Sequence, residues 1–400
     1  MYPFRVISLQ RRKIRKMIER KIRMSKSKVY FADFRVDFNS AGLTAKFKKL
    51  LQAAGIDDLE MDGRFVAVKT HFGELGNLAF LRPNWARTLV DMIKDRGGKP
   101  FLTDCNTLYP GSRKNALEHL DCAWRNGFTP YTVGCPVIIA DGLKGTDDVT
   151  VPIRNGESLT EAKIGRAVMD ADVFISLNHF KGHEEAGFGG ALKNIGMGCG
   201  SRAGKKDQHA CGTPTVDESL CRGCKRCMRE CANEGLVFNE ETRKMSVNTE
   251  KCAGCGRCVG ACNFDAISFH NSNANTELNR RIAEYSMAVL DGRPNFHITL
   301  VCDISPFCDC HSENDAPILP DVGMFASFDP VALDQACVDA CLANKPLPNT
   351  WLTDEMSKPG FVDKHDHFMN TRPNNEWKTC LAHAEKIGIG TREYELITVK

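Results

Sequence analysis

Cys221-Arg-Gly-Cys224-Lys-Arg-Cys227-Met-Arg-Glu-Cys231 and Cys252-Ala-Gly-Cys255-Gly-Arg-Cys258-Val-Gly-Ala-Cys262 are one pattern written twice. The self-similarity reaches beyond the cysteines. Val216, Cys221, Cys231 and Phe238 recur as Val247, Cys252, Cys262 and Phe269, each offset by 31 residues. A fixed period marks a duplicated unit. Each unit reads as a short strand, a cysteine loop, a helical turn and a second strand, Gly235–Phe238 in one and Ala266–Phe269 in the other. The module they form spans 214–272.

Three thiolates spaced two residues apart can wrap three corners of one cubane, and the fourth cysteine of each run then reaches the other cluster, as in bacterial two-cluster ferredoxins. This rule assigns Cys221, Cys224, Cys227 and Cys262 to one [4Fe–4S] cluster. It assigns Cys252, Cys255, Cys258 and Cys231 to a second. Structural zinc takes four ligands, usually as two Cys-x₂-Cys pairs, and two runs of four suit it badly. The proline common after the fourth cysteine is replaced by Ala232 and Asn263. Proline is no ligand, so the assignment stands.

Strand and helix signals alternate on both sides of this module. Phe65–Lys69, Pro100–Thr103, Val137–Ala140, Val173–Leu177 and His297–Cys302 read as strands. Asn84–Asp95, Arg113–Arg125, Ser158–Met169, Glu277–Leu290, Pro330–Leu342 and Glu376–Ile387 read as helices, Ser158–Met169 through a Ser-x-x-Glu capping box. The alternation predicts an α/β fold, a mostly parallel sheet flanked by helices, with an inserted α+β two-cluster ferredoxin-like module. The expected divisions are 1–23, a basic extension; 24–213, the first part of the α/β domain; 214–272, the ferredoxin domain; and 273–400, the second part. Insertion is tolerated where chain ends lie close together.

The 400 residues are 42% apolar and include 19 cysteines. No secretory signal and no run of eighteen apolar residues is visible, so free thiols and cluster spacing predict a cytoplasmic protein of an anaerobe with no membrane span. Residues 1–23 contribute +8 to a net charge of +3, leaving −5 for the rest. Met24-Ser-Lys-Ser-Lys leads into the strand-like Val29-Tyr-Phe-Ala, which suggests an upstream start-site artefact. The extension is expected to be dispensable, and no nucleic-acid binding is inferred from it.

Several stretches outside the module resemble one family closely. They are Lys69-Thr-His-Phe-Gly-Glu-Leu-Gly-Asn, Thr103-Asp-Cys-Asn-Thr-Leu-Tyr-Pro-Gly-Ser-Arg, Ile139-Ala-Asp-Gly-Leu-Lys-Gly, the run Asn178 to Asn194, Cys308-Asp-Cys-His and Ser327-Phe-Asp-Pro-Val-Ala. Together they resemble the domain of unknown function 362, an uncharacterised Fe–S centre protein family, over about residues 25–400. The resemblance implies an iron–sulfur centre and no particular reaction.

Chemistry-bearing residues gather after the strands. Lys69, His71 and Glu74 follow one; Asp104 and Asn106 follow another; His179, Lys181 and His183 follow a third. Open α/β sheets bind ligands beyond the carboxyl ends of their strands. Lys69, His71, His179, Lys181 and His183 are therefore the candidate catalytic group, the histidines as acid–base residues. Gly187, Gly189, Gly190, Lys193 and Asn194 are the candidate cofactor-binding group, with a helix near Gly190 presenting free N–H groups to an anion. Cys302, Cys308 and Cys310 form a candidate third metal or Fe–S site, with Cys199 or Cys211 available to complete it. Cys337 and Cys341, four apart on an apolar helix, read as packing residues. The expected function is electron relay between a redox partner protein and a pocket holding a small anionic substrate, in its catalytic form an iron–sulfur oxidoreductase. The rival reading is a non-catalytic electron carrier or Fe–S assembly protein.

Overall fold

The computed structural model describes residues 26–400 apart from 109–110, 210–211, 253, 255–256, 263, 265 and 270–272. The basic extension, Cys211 and Cys255 thus lie outside the described residues. An eight-stranded sheet organises the body. Its strands are β1 (Ser27–Ala32), β2 (Phe65–Lys69), β3 (Lys99–Asp104), β4 (Val137–Ile139), β5 (Val173–His179), β6 (Asn295–Val301), β7 (Gly323–Ser327) and β8 (Tyr394–Thr398). The order is β8-β1-β7-β6-β5-β2-β3-β4. β6, β5, β2, β3 and β4 run parallel in sequence, and β8 is parallel to β1. Only β7 is antiparallel to its neighbours. This is the predicted α/β architecture.

The eight larger helices are α1 (Gly42–Ala53), α2 (Pro83–Lys94), α3 (Ala116–Arg125), α4 (Ala191–Cys199), α5 (Arg202–His209), α6 (Ala274–Leu290), α7 (Pro330–Leu342) and α8 (Trp377–Ile387). The sheet separates two apolar cores. Side chains on successive strand residues point to opposite faces. Val173, Ile175 and Leu177 accordingly join Phe47, Leu50, Leu89 and Ile93 on one side. Phe174 joins Leu192, Ile195, Ile282, Leu333 and Leu381 on the other, with Cys337 and Cys341. α4 and α6 approach so closely that a Cβ on Gly196 would lie 2.1 Å from the Ile282 carbonyl oxygen. No helix among the described residues is long and apolar enough to cross a membrane.

The stretch 158–169 is not one helix. Asp148–Pro152 and Glu161–Gly165 pair as an antiparallel hairpin, and only Arg166–Met169 is helical. The alternation decides it: Ala162 and Ile164 are buried while Glu161 is exposed. The expected capping box is pre-empted by Glu284 of α6. Its carboxylate accepts the N–H groups of Glu157, Ser158 and Leu159 at 2.7–2.8 Å.

The duplicated segment builds two small antiparallel pairs. Pro214–Val216 pairs with Ile267–Phe269, and Leu236–Asn239 with Lys244–Val247. The first strand of one repeat thus pairs with the last strand of the other. Helical turns Arg226–Arg229 and Arg257–Gly260 follow the cysteine loops. Cys221, Cys227, Leu236, Met245, Cys258, Ala266 and Ile267 form a third core, separate from the other two.

Candidate functional site

Because β2, β3, β5 and β6 are parallel, their carboxyl ends share one rim. There a cavity of about 70 Å³ is lined by Lys69, His71, Asp104, Arg113, Lys181, Lys193, Lys205, Cys308 and Cys310, with Gly189, Gly190 and Asn194. This is room for several waters or a small molecule. Five of these residues are cations.

Each cation has a distinct role. Lys69, fully buried, places Nζ 2.9 Å from Asp104 Oδ1 and donates to Asn194 Oδ1 at 2.7 Å. Asn194 donates in turn to Asn178 Oδ1 at 2.7 Å. Gly198 leaves the space for that amine, since a Cβ there would sit 2.7 Å from Lys69 Nζ. Lys69 is thus held on all sides by protein partners. Lys205 donates to the carbonyls of Gly198 and Gly200. Arg113 donates Nε to Glu74 at 3.0 Å, while its Nη2 finds no partner among the described residues. Although burial disfavours the charge on Glu74, Arg113 holds its carboxyl below the usual range.

Of the three predicted histidines, only His71 lines the cavity. Its Nδ1 accepts from the Gly73 N–H at 2.9 Å, and its Nε2 lies 3.0 Å from Arg113 Nη1. Burial, then the Arg113 charge, push its basicity well below the ordinary histidine value, so the ring is neutral. A neutral ring accepting at Nδ1 carries its proton on Nε2. His71 and Arg113 therefore present two opposed donors. His179 points elsewhere: Nδ1 meets Asp309 at 2.9 Å and Nε2 meets the Cys302 carbonyl at 2.7 Å. It positions the loop rather than facing the cavity. The Nδ1 of His183 accepts from the N–H groups of Glu185 and Ala186, and burial lowers this ring to about 4.

Asp309 anchors the loop that carries Cys308 and Cys310. Besides His179 it takes Lys181 Nζ at 3.1 Å, and its backbone carbonyl accepts from the Glu74 N–H. The two flanking sulfurs then meet. A hydrogen bond from Cys310, reinforced by Lys193, holds Cys308 well below the usual thiol range, and the same bond raises Cys310. Lys193 Nζ lies 3.5 Å from Cys308 Sγ. Ligand atoms of His183, Cys308 and Cys310 all lie within 4.8 Å of one another. Cys302 does not join them. It packs against the opposite core, where burial raises its thiol. Neither does Cys199, buried beneath Cys105, whose Sγ donates to the Cys199 carbonyl.

The predicted cofactor loop is also redistributed. The N-terminus of α4 is already filled, because Asp334 of α7 accepts the N–H groups of Ala191 and Leu192 at 2.7 and 2.9 Å. A protein carboxylate thus stands where an anionic ligand was expected. Gly187 faces Asn375 and Trp377, away from the cavity. Burial raises Asp334 to about 7 despite both bonds. Since its folded value exceeds the unfolded one, its contribution is complete below about pH 4. It is lost as the pH climbs to 7. Asp334→Asn is expected to abolish this slope: between pH 5 and 7 the wild-type thermal midpoint should fall relative to that of the variant. Parallel curves would show that the carboxylate is charged throughout.

In the duplicated segment the buried Cys227 has its thiol raised to about 11 by burial and then by Cys262, Cys224 and Cys221. Cys224 itself is exposed. A separate cavity of about 20 Å³ is lined by Cys231, Cys252 and Cys258, together with Arg257. The two thiol groups thus cross between repeats, although Cys255 is outside the described residues. Such converging thiols, with Cys221, Cys227 and Cys258 buried, are a donor set suited to metal binding. Arg257 Nη2 also donates to the Cys310 carbonyl at 3.3 Å.

The model of a domain of unknown function (DUF362) matches residues 66–339. The chain belongs to the DUF362 family. The match takes in β2 to β7 and every residue of the cavity rim. A relative of this DUF362 chain is the thylakoid-associated protein sll1697 of Synechocystis sp., 24% identical over 169 residues. The alignment spans 40% of this chain and 47% of that protein, about half its length. Among solved structures, the lactate racemase apoprotein from Thermoanaerobacterium thermosaccharolyticum aligns with 69% of this chain and 51% of its own, at 11% identity and TM-score 0.34. A Thermotoga maritima protein aligns with 64% of this chain and 50% of its own, at 13% identity and TM-score 0.34.

Sequence reasoning passed over Arg113 and Asp309. Both had a signal: Arg113 closes a Gly111-Ser112-Arg113 sequence beyond β3, and Asp309 is the residue between two cysteines.

Proposed function

We propose that this chain is an iron–sulfur redox protein whose two [4Fe–4S] clusters relay electrons to or from a small anionic substrate in the cationic cavity. Cys221, Cys224, Cys227 and Cys262 would hold one cluster, and Cys231, Cys252, Cys255 and Cys258 the other. Bound there, the clusters supply one-electron transfer. The observation that carries the reading is Arg257. It lines the small cavity with Cys231, Cys252 and Cys258, and it donates to the carbonyl of Cys310, which lines the large one. The second cluster is therefore the inner one. The first is the outer, with Cys224 exposed and Leu220 and Met228 at the surface beside it, a face suited to a redox partner protein.

An anion answers the electrostatics of the pocket. Arg113 Nη2, beside the His71–Arg113 Nη1 contact, is a donor without an acceptor among the described residues, and a carboxylate or oxyanion supplies one. Lys181 and Lys193 add charge from the β5 side.

The test uses the anaerobically reduced chain mixed with small carboxylates, phosphates and sulfur oxyanions. One class is expected to re-oxidise the clusters. Losing a charge-assisted contact in Lys193→Met should slow this by about tenfold or more, with ferricyanide re-oxidation unchanged. If no anion binds or accepts electrons while a carrier protein does, the chain is a non-catalytic electron carrier.

A further inference from the structure

We propose that His183, Cys308 and Cys310 hold one divalent metal ion of the zinc class, bordering the cationic cavity and keeping one coordination position for an anionic ligand. The site takes the cavity from the function above but does not require the two clusters.

The ligand atoms come from two loops on the same sheet rim. His183 ends the first strand of a short hairpin just after β5, Lys181–His183 paired with Gly187–Gly189. Cys308 and Cys310 lie on the loop after β6. Asp309 fixes the second loop against the first through His179 and Lys181, so the convergence is held by buried ion pairs rather than by an exposed turn. Gly182 allows the approach: a Cβ there would meet the Pro306 and Ser305 carbonyl oxygens at 2.8 and 2.9 Å. Two sulfurs and an imidazole select zinc or ferrous iron over magnesium or calcium, which prefer oxygen.

The spacing decides between one ion and a cluster. With Zn–S near 2.3 Å and Zn–N near 2.0–2.1 Å, tetrahedral neighbours are about 3.5–3.8 Å apart. Three donors within 4.8 Å of one another need only a small contraction to reach that. A four-iron cluster instead spreads its ligands over separate metal atoms. Three protein ligands also leave a tetrahedral ion one position short, the arrangement of catalytic rather than structural sites. Cys308 and Cys310 line the cavity, so that position faces Lys193 and Lys181. An anion bound to the ion would have these ammonium groups as counter-charges. The metal would act as a Lewis acid on it.

The experiment loads the full chain anaerobically with iron and sulfide, then titrates it with Zn²⁺ and, in parallel, Co²⁺ as a spectroscopic probe. Wild type is expected to bind one ion beyond the cluster iron, with a thiolate-to-cobalt band. Cys308→Ser with Cys310→Ser should lose that ion while sulfide stays unchanged. Cys302→Ser should keep it. Equal metal in wild type and double variant overturns the site; a fall in sulfide in the double variant overturns the single ion in favour of a cluster. Sulfide content alone reports on the ferredoxin-type clusters, so failure of that reading is seen separately. Should the double variant not fold, alkylation of the wild type decides. Zn²⁺ is expected to protect Cys308 and Cys310, and a chelator to expose them. Labelling indifferent to metal, or a Cys308–Cys310 disulfide, overturns the proposal.

Discussion

Cys227→Ser combined with Cys258→Ser is expected to strip the chain of most of its visible absorption and of about eight irons and eight sulfides. Each single variant should lose about four of each. The crossing of the thiols sharpens this. Cys262 belongs by sequence to the second run, yet Cys227 has Cys262 beside it along with Cys221 and Cys224. Cys262→Ser should therefore damage the same cluster as Cys227→Ser, and the two variants should share an electron paramagnetic resonance spectrum after reduction. Cys231→Ser should instead match Cys258→Ser, whose side chain lines the other cavity with Cys231 and Cys252. Retention of zinc with no sulfide in wild type would remove the whole assignment. Variants grouping by run instead of across runs would refute the crossed ligation alone.

Lys69→Met is expected to cost about 3–5 kcal/mol, the usual penalty for removing one partner of a buried pair. Lys69 and Asp104 are 0% and 4% exposed at their side chains, and the amine lies 2.9 Å from the carboxylate. Without it, Asp104 keeps Arg113 at 4.0 Å and His119 at 3.7 Å, with the Lys205 charge acting from further off. Burial brings His119 down to about 3 despite that carboxylate, so the ring is neutral near pH 7 and gives Asp104 no charge in return. The measurement is anaerobic urea unfolding followed by far-ultraviolet circular dichroism. Lys193→Met is the contrast, because its amine faces a sulfur at the cavity and not a core carboxylate. It should change anion binding more than stability. A Lys69→Met chain as stable as wild type would mean the amine acts on ligands instead.

The sequence made the sheet legible where apolar runs were short and bounded. Phe65–Lys69 appears at its predicted limits, and Val173–Leu177 lengthens by only two residues. It failed where a tertiary partner overrode local chemistry. Ser158-Leu-Thr-Glu161 carries a sound capping signal, but Glu284, more than 120 residues away, captures the backbone donors that signal would have served. β7 and β8 were missed because Gly323-Met-Phe-Ala-Ser has little alternation and β8 is a half-exposed edge. At the site, strand-end logic put Lys69, His71 and Lys181 on one rim, and all three line the cavity. Spacing alone could not tell which cysteines met. Cys302 is close in sequence to Cys308 but faces the other core, while His183 arrives from a different strand. Nor could it show that Asp334, some 140 residues on, occupies the start of α4.

The pairing of Pro214–Val216 with Ile267–Phe269 makes the chain enter and leave the cysteine segment side by side. Topologically the segment is a pendant on a two-stranded stem. The sheet it hangs from is assembled from residues on both sides of the stem, with β5 and β6 adjacent across the interruption. Two cuts at neighbouring points in space would release the pendant without reordering a single strand of the body. A gene lineage could therefore exchange one cysteine-rich unit for another, or do without it, while inheriting the cavity intact.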